Sequence, residues 1–116
     1  KFVNVTVADN VAGTGGAFYT TESSNMNVIN SILYGDTKPE IYAGGSANVE
    51  VTYTLVEEGS NGDFFGEGCL DTDPLFKMIE ENYYYLKSFT CGDGEASPAI
   101  DAGHPDSTDA VIACGQ

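Results

Sequence analysis

Apolar positions along the first half of the chain alternate with small polar ones, as in Val49-Glu50-Val51-Thr52-Tyr53. A period of two, carried by Val, Ile, Thr and Tyr, predicts β-strands and leaves little room for helix. Three runs occupy matching places: Asn4-Val5-Thr6-Val7, Asn30-Ser31-Ile32-Leu33 and Tyr53-Thr54-Leu55-Val56, at intervals of 26 and 23 residues. Turn formers follow each run, at Asp9-Asn10, Gly35-Asp36 and Glu58-Gly59. Between them lie shorter strand-like pieces, Gly16-Ala17-Phe18-Tyr19 and Glu40-Ile41-Tyr42-Ala43. A period in this range, with more than one strand per repeat, is the pattern of a β solenoid. One helical turn is predicted, from Pro74 to Glu81.

Stacking the repeats in parallel sets equivalent residues about 4.8 Å apart. Asn4 and Asn30 would then be neighbours at one corner, where stacked side-chain amides donate and accept along the column. Tyr53 replaces the third member, so the predicted amide ladder is short and structural. From Glu57 onward the repeat breaks down into a glycine-rich acidic loop, Glu57 to Gly68, carrying Phe64-Phe65. A strand at Tyr83-Tyr84-Tyr85-Leu86 and a polar tail from residue 104 follow. The expected organisation is a single domain, with parallel coils over 1–68 and a terminal coil and loop-rich cap over 69–116.

The 116 residues suffice for one domain with one core. Four lysines and no arginine stand against eighteen carboxylates, a net charge of −14. Such a surface repels phosphate backbones and anionic membranes, which argues against nucleic-acid partners. It attracts calcium or cationic surfaces, although solubility is the commoner reason for such charge. Without arginine the usual fork for carboxylate or phosphate ligands is missing. No apolar run approaches membrane-spanning length, so membrane insertion is not expected. A start at Lys1, entering directly into a strand, reads as a piece of a longer chain. Three cysteines, at 69, 91 and 114, permit at most one internal pair. Either a Cys91–Cys114 disulfide staples the tail, or all three are small buried apolar side chains.

Asp71-Thr72-Asp73-Pro74-Leu75-Phe76, followed by Ser97-Pro98-Ala99-Ile100-Asp101-Ala102-Gly103, resembles the closing segment of right-handed parallel β-helix proteins secreted by bacteria, described as pectin-lyase-like. The resemblance spans roughly residues 26 to 103 and includes the stretches beginning at Asn30, Val51 and Gly66. It departs at Cys69, where an asparagine often stands, and at the end, where relatives continue into a further strand. The resemblance implies a right-handed parallel β-helix of about three coils with an irregular C-terminal cap, in an extracellular or cell-surface protein. Many such proteins have no known activity. The active ones are pectate lyases and polygalacturonases, whose calcium carboxylates, basic residue or aspartate cluster have no counterpart in these coils. The expected role is therefore non-catalytic: structural, adhesive or glycan-binding. The alternatives are the end of a polysaccharide lyase or glycoside hydrolase with its active site upstream, and a self-assembling fibre subunit.

Candidate sites follow from residue chemistry. Asp71 and Asp73 form an Asp-x-Asp pair that suits a structural calcium ion; the ordinary alternative is turn capping before Pro74. No other cofactor is expected. Tyr83, Tyr84 and Tyr85 cannot all face inward from one strand. With Phe64 and Phe65 they form a candidate aromatic patch for a polysaccharide or cell-surface glycan, the alternative being that they cover the tail. His104, beside Pro105, is read as a solvated loop residue. Unpaired edges at the first coil make end-to-end self-association a further expectation.

Overall fold

The computed structural model describes residues 1–80, 84–107 and 114. Among the described residues ten strands follow in chain order: β1 (Phe2–Val3), β2 (Thr6–Ala8), β3 (Phe18–Thr20), β4 (Asn25–Ile29), β5 (Ile32–Tyr34), β6 (Ile41–Ala43), β7 (Asn48–Thr52), β8 (Leu55–Val56), β9 (Phe76–Met78) and β10 (Tyr84–Leu86). Among the described residues the only helix is a 3-10 turn at Phe89–Cys91. The protein is all-β.

Three parallel sheets have the orders β1-β4-β7, β2-β5-β8 and β3-β6, and β9 pairs with β10 antiparallel. The strands therefore fall into tiers: β1, β2 and β3 first, β4, β5 and β6 second, β7 and β8 third. Thr6 aligns with Ile32, and Ile32 with Leu55, so Asn4, Asn30 and Tyr53 do stand at equivalent places. The loop after Glu57 is more ordered than its composition suggests. It adds a shortened fourth level through parallel bridges from Val51 to Phe65 and from Leu55 to Leu70.

Stacking builds the core as columns. Phe2, Val28, Val51 and Phe65 follow one another in one column, and Val7, Leu33 and Val56 in a second. Val28, Leu33, Val51 and Val56 are fully buried, and Met26 and Ile41 complete the cluster. Apolar burial of this kind contributes about 1.5–3 kcal/mol per large side chain.

The bends between strands use left-handed backbone at matched positions. Asn4, Asn30, Tyr53 and Gly68 have φ of 58°, 52°, 48° and 69° at one corner. Asp9, Gly35 and Glu58 repeat this after β2, β5 and β8, and Glu22 and Gly45 do so between β3 and β4 and between β6 and β7. A non-glycine residue in this region costs on the order of 1–3 kcal/mol, so surrounding contacts must hold it there. They do: the corner amides of Asn4, Asn30 and Tyr53 donate to the carbonyls of Ile29, Thr52 and Glu67 on the following level. The ladder thus runs through the bend unbroken.

Two expectations are corrected. The segment after Pro74 is not helical: Phe76–Met78 is a strand, registered with Phe76 opposite Leu86 and Lys77 opposite Tyr85. Cross-strand pairing supplies what a lone turn cannot, and Glu81 lies outside the described residues. The Asn30 amide also does not serve an asparagine ladder. Its Oδ1 accepts from the His104 N–H at 2.8 Å, and its Nδ2 donates to Ser107 Oγ at 2.9 Å. The inter-tier polar column lies beside it instead. Ser31 Oγ accepts from the Val5 N–H at 3.2 Å, and Thr54 Oγ1 accepts from the Ser31 N–H at 3.3 Å.

Gly68 combines φ of +69° with a Tyr53 ring that an added Cβ would meet at 2.4 Å. Gly68→Ala is expected to lose about 1–3 kcal/mol in urea unfolding. Gly13→Ala, with nothing within 4 Å of the new atom, should stay within about 0.5 kcal/mol of the parent.

Candidate functional site

The carboxylates before Pro74 are built into turns. Asp71 Oδ1 accepts from the Glu58 N–H at 2.9 Å, and Oδ2 accepts from the Ser60 N–H at 3.0 Å. These bonds, with the Ser60 ones largest, hold its carboxyl below the ordinary aspartate range. Asp73 Oδ1 accepts from the Leu75 N–H at 2.7 Å, fixing the left-handed Leu75 that follows Pro74. Among the described residues no group of three or more His, Cys, Asp or Glu is placed to hold a metal ion. The geometry gives both aspartates backbone-capping work.

The predicted aromatic residues serve different places. Phe64 and Phe65 pack against the core from the fourth level. Tyr84 donates its hydroxyl to Asp9 Oδ2 at 2.8 Å, and its ring meets Phe76 edge-on at 5.1 Å. Phe76 in turn meets Tyr34 at 6.2 Å, so the β9–β10 pair is clamped to the first two tiers. Tyr85 is half-buried, and Tyr83 lies outside the described residues. An exposed aromatic pair does exist, but elsewhere. Tyr19 and Tyr42, 60% and 38% exposed, stack at 4.9 Å with 10° between their planes. Their facing positions in β3 and β6 create the stack. The matching Phe-Tyr and Ile-Tyr pairs in the sequence were its only signal.

His104 is not free in solvent. Its ring meets Tyr53 edge-on at 4.8 Å, and its Nδ1 accepts from the Asp106 N–H at 3.1 Å. Between this tail and the third tier lies a small crevice of about 190 Å³. Its apolar lining includes Ile32, Leu55, Leu70, Leu86, Ala99 and Ala102. Cys91 and Cys114 are joined in a disulfide with their Cα atoms 5.3 Å apart, and Cys69 is a free thiol beside the Val51 carbonyl.

The densest chemistry sits on the bend between β5 and β6, which sequence reasoning passed over as a turn. Lys38 Nζ donates to Glu40 Oε1 at 2.8 Å and also to Glu57 Oε2, and the peptide before Pro39 is cis. Burial disfavours the Lys38 ammonium, but its bonds to Glu40 and Glu57 outweigh this and raise its pKa above the ordinary lysine value. Burial likewise opposes the Glu57 carboxylate, yet the Lys38 and Gly35 donors bring its pKa below the usual glutamate range. Glu40 goes the other way. Burial, then the adjacent Asp36, push its carboxyl up to about 7 against the pull of Lys38. A displaced carboxyl pKa is a mark of catalytic acids. Here Glu40 is only 2% exposed, which denies a substrate access to it.

Two more lysines are paired. Lys77 binds Asp93 at 2.9 Å, and Lys87 binds Glu95 at 2.6 Å. The Ser88 N–H, then Lys77, keep the Asp93 carboxyl below its ordinary pKa. No family model, curated protein or solved structure matches this chain.

Replacing Asp71 by Ala removes the acceptor of two backbone N–H groups that water can reach, and is expected to cost about 0.5–1.5 kcal/mol near neutral pH. Because the folded pKa lies below the unfolded one, this stabilisation is complete above about pH 4 and fades as pH falls through the folded value. Urea midpoints of parent and variant should therefore converge on acidification.

Proposed function

We propose that the chain is a stretch of right-handed parallel β-helix with its closing segment, working as a non-catalytic extracellular module with a structural, adhesive or glycan-binding role. The observation that carries this reading is the registered parallel stacking of β1-β4-β7, β2-β5-β8 and β3-β6 with matched left-handed corners. Parallel strands joined by crossovers are right-handed in nearly all proteins, which supports the handedness. The Cys91–Cys114 disulfide supports an oxidising, extracellular setting. Support for a non-catalytic role comes from where the acidic groups stand. Asp71 and Asp73 cap backbone, and Asp36 and Glu40 are buried.

Lys38, Lys77 and Lys87 are engaged with carboxylates, so an anionic polysaccharide meets a strongly negative surface. Neutral glycans are the better candidates, with Tyr19 and Tyr42 as the exposed aromatic surface. Incubation with polygalacturonate, pectin and neutral glucans, with calcium and with chelator, is expected to release no unsaturated or reducing sugar ends. Any retention on immobilised glycan should favour neutral ones and persist in chelator. Product release by the purified chain would instead establish a polysaccharide-degrading enzyme, and binding lost in chelator would make Asp71 and Asp73 calcium ligands.

A second reading, self-association, is favoured by the first tier. β1, β2 and β3 are all edge strands, with Phe2 and Val3 about 40% exposed. Two chains of charge −14 repel each other, so association is expected to grow with ionic strength. Sedimentation velocity at low and high salt checks this; a monomer at every salt and concentration rejects it.

A further inference from the structure

The bend after β5 gathers three carboxyl groups around one ammonium. Asp36 and Glu40 are 4% and 2% exposed, and Glu57 reaches them from the end of β8. Three of their oxygens are well supplied with donors. Asp36 Oδ1 accepts from the Asn10 N–H and from Asn10 Nδ2, both at 2.7 Å. Glu40 Oε1 accepts from the Asp36 N–H at 3.2 Å and from Lys38 Nζ at 2.8 Å. Glu57 Oε2 accepts from the Gly35 N–H at 2.9 Å and from Lys38 Nζ. Of the remaining three, Asp36 Oδ2 and Glu40 Oε2 are shut off from solvent and without a donor.

These two carboxyl groups lie within hydrogen-bonding reach of each other. Were both ionised, two like charges would sit side by side in a poorly solvated place, with one shared ammonium to offset them. A single proton removes one charge and gives both orphan oxygens a partner. We infer that Glu40 is a neutral carboxylic acid donating its Oε2–H to Asp36 Oδ2, and that this shared proton is a pH-sensitive latch on the bend between β5 and β6.

What the latch holds is the join between first and second tiers. Asp36 fixes Asn10, the Gly16 N–H donates to the Thr37 and Pro39 carbonyls, and the Ala17 N–H donates to the Glu40 carbonyl. The approach is so close that a Cβ on Gly16 would meet Thr37 backbone atoms at 2.4 Å. The charged and titratable groups around the pair are Lys38 on the same bend, Glu57 after β8, and Tyr84 of β10, bonded to Asp9. Tyr34 and Asp71 also feel the Lys38 charge. Glu57 is the competing acceptor, since its carboxyl too is within bonding reach of Glu40.

The sign follows from the direction of the Glu40 shift. Its folded pKa, about 7, lies above the ordinary 4.5, so between these values the folded chain holds a proton that the unfolded chain releases. The stabilisation is complete below the unfolded value and is lost as pH rises through the folded one. This opposes the acid-side behaviour of Asp71 and Asp93.

The test is a carbon-13 titration of side-chain carboxyls on the whole chain, with thermal unfolding followed from about pH 5 to pH 8. The Glu40 carboxyl is expected to titrate near 7, and the unfolding midpoint to fall as it does. Glu40→Gln keeps an N–H donor for Asp36 and an oxygen for Lys38, so this fall should flatten, whereas Glu57→Gln should retain it. A Glu40 carboxyl titrating below about 5, the ordinary range, overturns the latch. So does an unchanged pH profile in Glu40→Gln, and flattening in Glu57→Gln alone places the proton on Glu57 and overturns the Asp36 assignment. If Glu40→Gln does not fold, the carboxyl titration of the parent still decides.

Discussion

Parallel hydrogen bonding that continues through the bends is the constraint on which the rest of this structure depends. A parallel strand pair leaves its next residues poorly aligned unless both chains turn by the same amount at the same place. Here the corner residues Asn4, Asn30 and Tyr53 adopt the same left-handed conformation, and each donates to a carbonyl of the following level. Because the corners match, the apolar residues after them return to the same columns, and Val28, Val51, Leu33 and Val56 are excluded from solvent. The buried hydroxyls of Ser31 and Thr54 answer the N–H groups that the tight turn would otherwise leave unsatisfied.

The segment after β8 depends on that same corner. Asn30 and Tyr53 present an amide and a ring on which His104 and Ser107 settle, while Tyr84 ties the β9–β10 pair to Asp9 at a different bend. The disulfide between Cys91 and Cys114 adds a covalent constraint to this part of the chain. Small irregular segments bury little apolar surface, so such polar and covalent ties carry a larger share of their order. The left-handed Tyr53 is tolerated because its ring is held between the Gly68 backbone and His104.

Charge shapes what the surface can meet. Lys38, Lys77 and Lys87 are absorbed into internal ion pairs, so the excess of carboxylates dominates the outside. The Lys38 cluster is also where local and global demands conflict. A bend that needs Asp36 for Asn10 and Lys38 for Glu57 has drawn in a third carboxyl, Glu40, whose ionisation its surroundings resist.

Strand content, the repeat and its register were legible in the chain, because alternation of Val, Ile and Thr every second residue and the recurrence of Asn4, Asn30 and Tyr53 are local one-dimensional signals. The turn-capping alternative for Asp71 and Asp73 was legible too, since an aspartate beside a proline turn bonds its neighbours wherever it stands. Pairing across distance was not. Phe76–Met78 became a strand only because β10 lies beside it, and the Phe64-Phe65 loop became a further level because Val51 and Leu55 offered open edges. The amide of Asn30 went to His104, about seventy residues away, which no neighbouring residue announces. The same holds for the acidic bend. Asp36, Lys38, Glu40 and Glu57 look like ordinary surface charges in sequence, and only burial against a second tier makes their protonation a structural question. Sequence by itself determined where the backbone alternates and turns; tertiary structure decided which polar groups are removed from water, and with it their partners and their charge.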